Sequence, residues 1–165
     1  MLIRTFVMVA AVCGGLAAAQ FPAYSQQYMQ RLGGAVDALG QVAADFDASA
    51  ASLGMSRTEA LAQMHGTDFI EKRRADMQRA FDRHARLSAD LAVLEGHGPF
   101  MRAYLAGHLT DRDVAQGAWR AFQPSLPLSV ASLLFALTGF GATAFILSGI
   151  FAIFVSRKRR PALPA

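Results

Sequence analysis

The stretch LPLSVASLLFALTGFGATAFILSGIFAIFV, Leu126 to Val155, holds no charged residue and narrows the folds open to the chain more than any other feature. Its apolar core from Leu128 is about 28 residues, or about 42 Å of α-helix. A bilayer core of about 30 Å needs about 20 residues. The spacing therefore predicts a membrane-crossing helix with length to spare, tilted or emerging from the bilayer. Pro124 and Pro127 stand where such a helix can begin, and Trp119 and Phe122 precede it, at a place where aromatic rings favour the headgroup level. Arg157, Lys158, Arg159 and Arg160 stop it.

A second apolar run, TFVMVAAVCGGLAAA, follows Arg4. A basic start, an apolar middle and the A-x-A triplet Ala17-Ala18-Ala19 match signal-peptide grammar. Against cleavage, the charge-free stretch continues to Gln30, and Thr5 to Ala23 alone is long enough to span. We expect an uncut helix. Ala11, Gly15 and Ala18 then share one face, and the later span offers Gly141, Ala144, Ser148 and Ala152 at similar spacing. Small residues let membrane helices approach closely.

Charge supports two spans. Arg4 is the only charge before Arg31, and the four cations of the tail are the only charges after Arg120. All acids lie between Asp37 and Asp113. By the positive-inside rule, Arg4, Arg157, Lys158, Arg159 and Arg160 act as topology anchors that hold both termini in the cytoplasm. The pI near 9.8 reflects these terminal cations and is no nucleic-acid footprint. The single Cys13 excludes a disulfide within the chain.

The middle is expected to be helical. Tyr28, Leu32, Val36, Leu39, Ala43 and Phe46 form one apolar stripe. Pro22 should kink the chain where the first span meets this helix. Gly54 can end that helix, and Ser56-Arg57-Thr58-Glu59 reads as a capping box for a short second one. Thr67-Asp68 starts a third with apolar positions Ile70, Met77, Phe81, Leu87, Leu91 and Leu94, broken by Gly96-His97-Gly98-Pro99. Pro99 opens a short segment, and Thr110 to Asp113 caps a last helix through Trp119. Asp82–Arg86 and Arg86–Asp90 are i,i+4 pairs on the third helix.

The fold class that follows is an all-α membrane protein: two transmembrane helices flanking an extracytoplasmic antiparallel helical hairpin with short covering helices. Its expected parts are an N-terminal span 1–23, a helical domain 24–123, a C-terminal span 124–156 and a basic tail 157–165.

Chemistry-bearing patterns are sparse. His65, His84, His97 and His108 form no i,i+4 pair, though His97 and His108 flank one short segment. Asp45 and Asp47 point to different helix faces. The cationic stripe of Lys72, Arg79, Arg83 and Arg86 is offset by Asp76, Asp82 and Asp90. No phosphate loop, nucleophile elbow or haem motif is present. The expectation is no catalytic residue, no metal and no cofactor.

FPAYSQQYMQRLGGAVDAL and FQPSLPLSVASLLFALTGFGA together resemble a family of small proteobacterial inner-membrane proteins classed as a domain of unknown function. The resemblance covers most of the chain and favours the uncut first span, but it transfers no functional residue. The functional expectation is a non-enzymatic inner-membrane protein with a periplasmic middle. It would be a structural or accessory subunit that contacts membrane lipids and packs on itself or on other membrane proteins. The alternative is an extracytoplasmic ligand sensor or transporter accessory.

Overall fold

The computed structural model describes residues 2–124 and 128–158. Every regular element among them is helical: α1 (Leu2–Ala19), α2 (Phe21–Ser52), α3 (Arg57–Gln63), α4 (Asp68–Leu94), α5 (Pro99–Tyr104), a 3-10 turn (Ala106–His108), α6 (Arg112–Ala121) and α7 (Val130–Lys158). Two stretches, Ile3–Ser52 and Val130–Ile153, contain helix long and apolar enough to cross a membrane, the first near the N-terminus. The chain divides into two compact units, 1–25 with 123–165 and 26–122, and the first boundary falls inside α2.

In the first unit α1 and α7 pair antiparallel. The Phe6 ring meets Phe151 at 6.0 Å, edge to face, and Phe21 meets Phe135 at 5.3 Å. The break between α1 and α2 sits at Gln20, two residues before Pro22. Proline has no N–H, so it cannot donate to the Ala18 carbonyl one turn earlier. The chain tightens instead through Gln20 N–H to Ala17 O, 3.1 Å, and restarts with Tyr24 N–H to Gln20 O, 3.0 Å. α7 begins later than the prolines suggest, because Ser129 supplies the cap. Its hydroxyl oxygen accepts from Ser132 N–H at 3.1 Å and its carbonyl accepts from Leu133 N–H at 3.0 Å. The expected start at Leu126 and Pro127 lies outside the described residues.

The second unit follows its punctuation closely. α2 ends before Gly54, whose φ of +71° suits a residue without Cβ. Ser56 completes the capping box: its hydroxyl oxygen accepts from Glu59 N–H, and the Glu59 carboxylate accepts from Ser56 N–H at 2.7 Å. Thr67 caps α4 by accepting from Ile70 N–H, with Asp68 and Glu71 in the first turn, where the helix dipole favours acids. Gly96, at φ +75°, closes that helix, and Pro99 opens α5. The core draws Tyr28, Leu32, Ala43 and Ala50 from α2, Phe81, Leu87 and Leu94 from α4, and Val114 and Ala118 from α6. The α2 and α6 sets each recur at helical spacing and bury one face, as do Leu87 and Leu94 of α4, while Phe81 lies on a different side of α4.

Candidate functional site

The closest helix contact in the first unit is built from missing side chains. A Cβ added at Gly15 would lie 2.8 Å from the Ala136 carbonyl and 3.3 Å from the Phe140 Cβ. One added at Gly139 would lie 2.5 Å from the Ala18 Cβ and 2.8 Å from the Gly14 carbonyl, and one at Gly14 would collide with the Thr143 hydroxyl. These are backbone or short, rigid groups, so the helices approach this closely only because glycine stands at all three positions. Two threonine hydroxyls of α7 are satisfied within the helix. The Thr143 hydroxyl donates to Gly139 O at 2.8 Å and the Thr138 hydroxyl to Leu134 O at 3.0 Å. A helix surrounded by lipid requires that.

Of the packing residues expected from sequence, Ala11 is fully buried, Gly15 lies in the seam and Ala18 meets Gly139. Ala144, Ser148 and Ala152 line a groove of about 1290 Å³ beside the seam, with Ala11 and Arg4 opposite. Gly141 points elsewhere, with nothing within 4 Å of its Cβ position. Sequence spacing missed Gly14, Gly139 and Thr143. Of the expected topology anchors, Arg4 lines the groove, Arg157 and Lys158 fall in the last turn of α7, and Arg159 and Arg160 lie outside the described residues.

The second unit carries a polar node where three helices meet. Asp111 caps α6: its carboxylate accepts from Val114 N–H at 3.1 Å and from Arg83 of α4 at 3.0 Å. Its backbone N–H donates to the hydroxyl of fully buried Tyr28, on α2, at 3.2 Å. Arg83 also pairs with Asp113 at 3.0 Å. One guanidinium thus answers two carboxylates, and a charge-paired, half-buried cluster of this kind locks helices in place. It presents no free nucleophile or base for chemistry.

Other groups resolve similarly. The Asp90 carboxylate accepts from His108 Nδ1 at 2.7 Å. That replaces the expected Arg86–Asp90 pair. Asp82 likewise accepts from Gln78 at 2.9 Å instead of meeting Arg86. His97 sits against the Glu95 carbonyl at 3.0 Å, so His97 and His108 have separate partners. Arg57 joins Asp47 at 2.5 Å and lies 4.5 Å over the Phe81 ring, which itself packs on Phe46. The hydrogen bond from Arg57 holds the Asp47 carboxyl below the usual carboxylate range, and the bonds from Ser56 do the same for Glu59. Among the described residues, no three His, Cys, Asp or Glu side chains are grouped to hold a metal ion.

Residues 2–160 match a family model described as "Protein of unknown function (DUF2937)". The chain belongs to this family. The match takes in α1 through α7, so both apolar helices and the polar node lie within the family domain. No curated protein and no solved structure matches the chain.

Proposed function

We propose that the chain is a two-pass bacterial inner-membrane protein with no enzymatic activity, serving as a structural or accessory subunit. Both termini face the cytoplasm, and the middle unit stands in the periplasm as an antiparallel helical hairpin of α2 and α4 covered by the short helices. The observation that carries this reading is the α1/α7 pair. Its contact face is small and tight, while Phe6, Met8, Val9, Leu16, Leu133, Leu137 and Phe145 are exposed around it. So much exposed apolar surface is costly in water and suits lipid or another membrane helix. The antiparallel pairing also brings Arg4 and the end of α7 that leads into the basic tail to one end. For the hairpin, Phe46 against Phe81 and Gly40 against His84 run in opposite chain directions.

The test labels cysteines introduced at exposed Gln63 and near the C-terminus with an impermeant maleimide in intact cells. Labelling at residue 63 alone supports the topology. Protein found soluble, with a mass lacking residues 1–19, refutes it. In-cell crosslinking then reads the subunit role: a stable neighbour or a second copy supports it, and none argues against it. A second reading, a ligand-sensing or transporter-accessory protein, draws on a pocket of about 470 Å³ in the middle unit lined by Gln27, Gln30, Arg31 and Arg83. A thermal shift of the whole protein with small organic acids would favour it.

A further inference from the structure

We propose that the groove between α1 and α7 is a binding site for one anionic phospholipid, with Arg4 holding the phosphate and the apolar walls taking an acyl chain. The site rests on the two-pass reading. Its walls are Val7, Met8 and Ala11 of α1 and Phe140, Ala144 and Phe151 of α7, with Arg4 the one charged residue lining it among the described residues. Arg4 and Ala11 are seven residues apart, so the groove runs about 10 Å along α1. The floor is open because Ala144, Ser148 and Ala152 are short, where Leu or Phe would fill the space.

Charge selects the occupant. No acid lies in residues 1–30 or after Asp113, so the Arg4 end of the pair carries cations alone. A guanidinium answers a phosphodiester with paired N–H donors, and its aliphatic stem runs along apolar surface while the head reaches the interface. A second copy of the chain suits the groove less well. Copies inserted with the same topology bring Arg4 and the basic tails to the same membrane face, like charge against like charge. A zwitterionic lipid offers the same chains but adds a competing cation.

Native mass spectrometry of the full chain tests this, released from micelles holding equimolar phosphatidylglycerol and phosphatidylcholine of identical chains. The expected result is a full-length subunit with a phosphatidylglycerol adduct in excess. Arg4→Gln lowers the ratio of the two adducts about fivefold, the factor one basic residue beside an anionic lipid is worth. Arg4→Lys restores it. Ala152→Phe fills the groove and lowers both adducts with Arg4 intact. A phosphatidylglycerol excess that survives Arg4→Gln assigns the preference to the basic tail and overturns the site. So does an Ala152→Phe protein that binds as much lipid as the wild type, or a lipid-free dimer. A mass lacking residues 1–19 overturns the two-pass reading itself, whereas a full-length mass with no lipid preference overturns the site alone.

Discussion

Gly139 and Gly141 stand two residues apart on α7, and Ala at each should have opposite consequences. A Cβ at Gly139 lands 2.5 Å from the Ala18 Cβ, 2.8 Å from the Gly14 carbonyl and 3.3 Å from the Gly15 Cα. Carbon contacts settle near 3.5–4.0 Å, so the helices must part by about 1 Å. None of the three groups can rotate away. Overpacking of this kind costs about 1–3 kcal/mol. A Cβ at Gly141 meets nothing within 4 Å. Both substitutions gain the same helix propensity, about 1 kcal/mol. That gain cancels when the variants are compared with each other, leaving the overpacking cost. Gly139→Ala should therefore shift the equilibrium for α1/α7 separation by about 5- to 150-fold relative to Gly141→Ala. The assay is energy transfer between dyes on the two helices during titration of a mild detergent with dodecyl sulfate, because membrane helices separate under such conditions while keeping their secondary structure. Equal midpoints for the two variants would refute the seam, and a lower midpoint for Gly141→Ala would show that α7 presents another face.

The second unit supplies the other predictions. Tyr28→Phe leaves the Asp111 N–H without its acceptor and should cost about 1–3 kcal/mol in chemical unfolding of the full chain. Ser56→Ala removes the hydroxyl of the capping box and should destabilise α3 by about 1 kcal/mol, read as faster amide exchange across Arg57–Gln63. Asp47 and Glu59 are both held below the ordinary carboxylate range in the folded chain. The unfolded chain therefore takes up protons first as pH falls. The stabilisation they give is complete above about pH 5 and is lost as pH drops through their lowered values. Amide protection at the α2–α3 junction, taken relative to the intrinsic exchange rate at each pH, should fall below about pH 4, and Asp47→Asn should flatten that dependence, with no flattening telling against the Arg57 pair.

Local signals were legible because their physics is local. Ser56, Thr67 and Pro99 each mark a helix start, since a cap hydroxyl accepts from a free backbone N–H three residues on and proline has no N–H to satisfy. Positive-φ glycines at 54 and 96 mark the ends for the same kind of reason. The buried face of α2 was legible too, because Tyr28, Leu32 and Ala43 fall on one 3.6-residue period and the polar residues between them do not. The charge network was not. Arg83 lies among acids at i−7, i−1 and i+7, yet its partners Asp111 and Asp113 come from a helix 28 and 30 residues later. Nothing in a helical wheel shows which carboxylate another helix will deliver.

The seam sets a similar limit, for a more specific reason. In α1 the small residues are clustered enough that one face, Ala11–Gly15–Ala18, can be chosen from spacing, and the structure adds Gly14 beside it. In α7 small residues between 131 and 152 occupy 131, 132, 136, 139, 141, 142, 144, 148, 149 and 152, which surrounds most of the helix. Spacing then selects no single face. What selects it is the partner: Ala18 needs a residue without Cβ opposite, and Gly139 supplies it, while the bulky Phe140 fits because Gly15 leaves room. Complementarity of this kind belongs to the pair of helices and is written in neither one alone. It also explains how a chain whose terminal segments carry cations but no acid to pair with them can still hold its apolar helices in one register. Gly139 against Ala18, where an added Cβ would come within 2.5 Å, and Gly15 against the Ala136 carbonyl, where one would come within 2.8 Å, fix the antiparallel offset sterically.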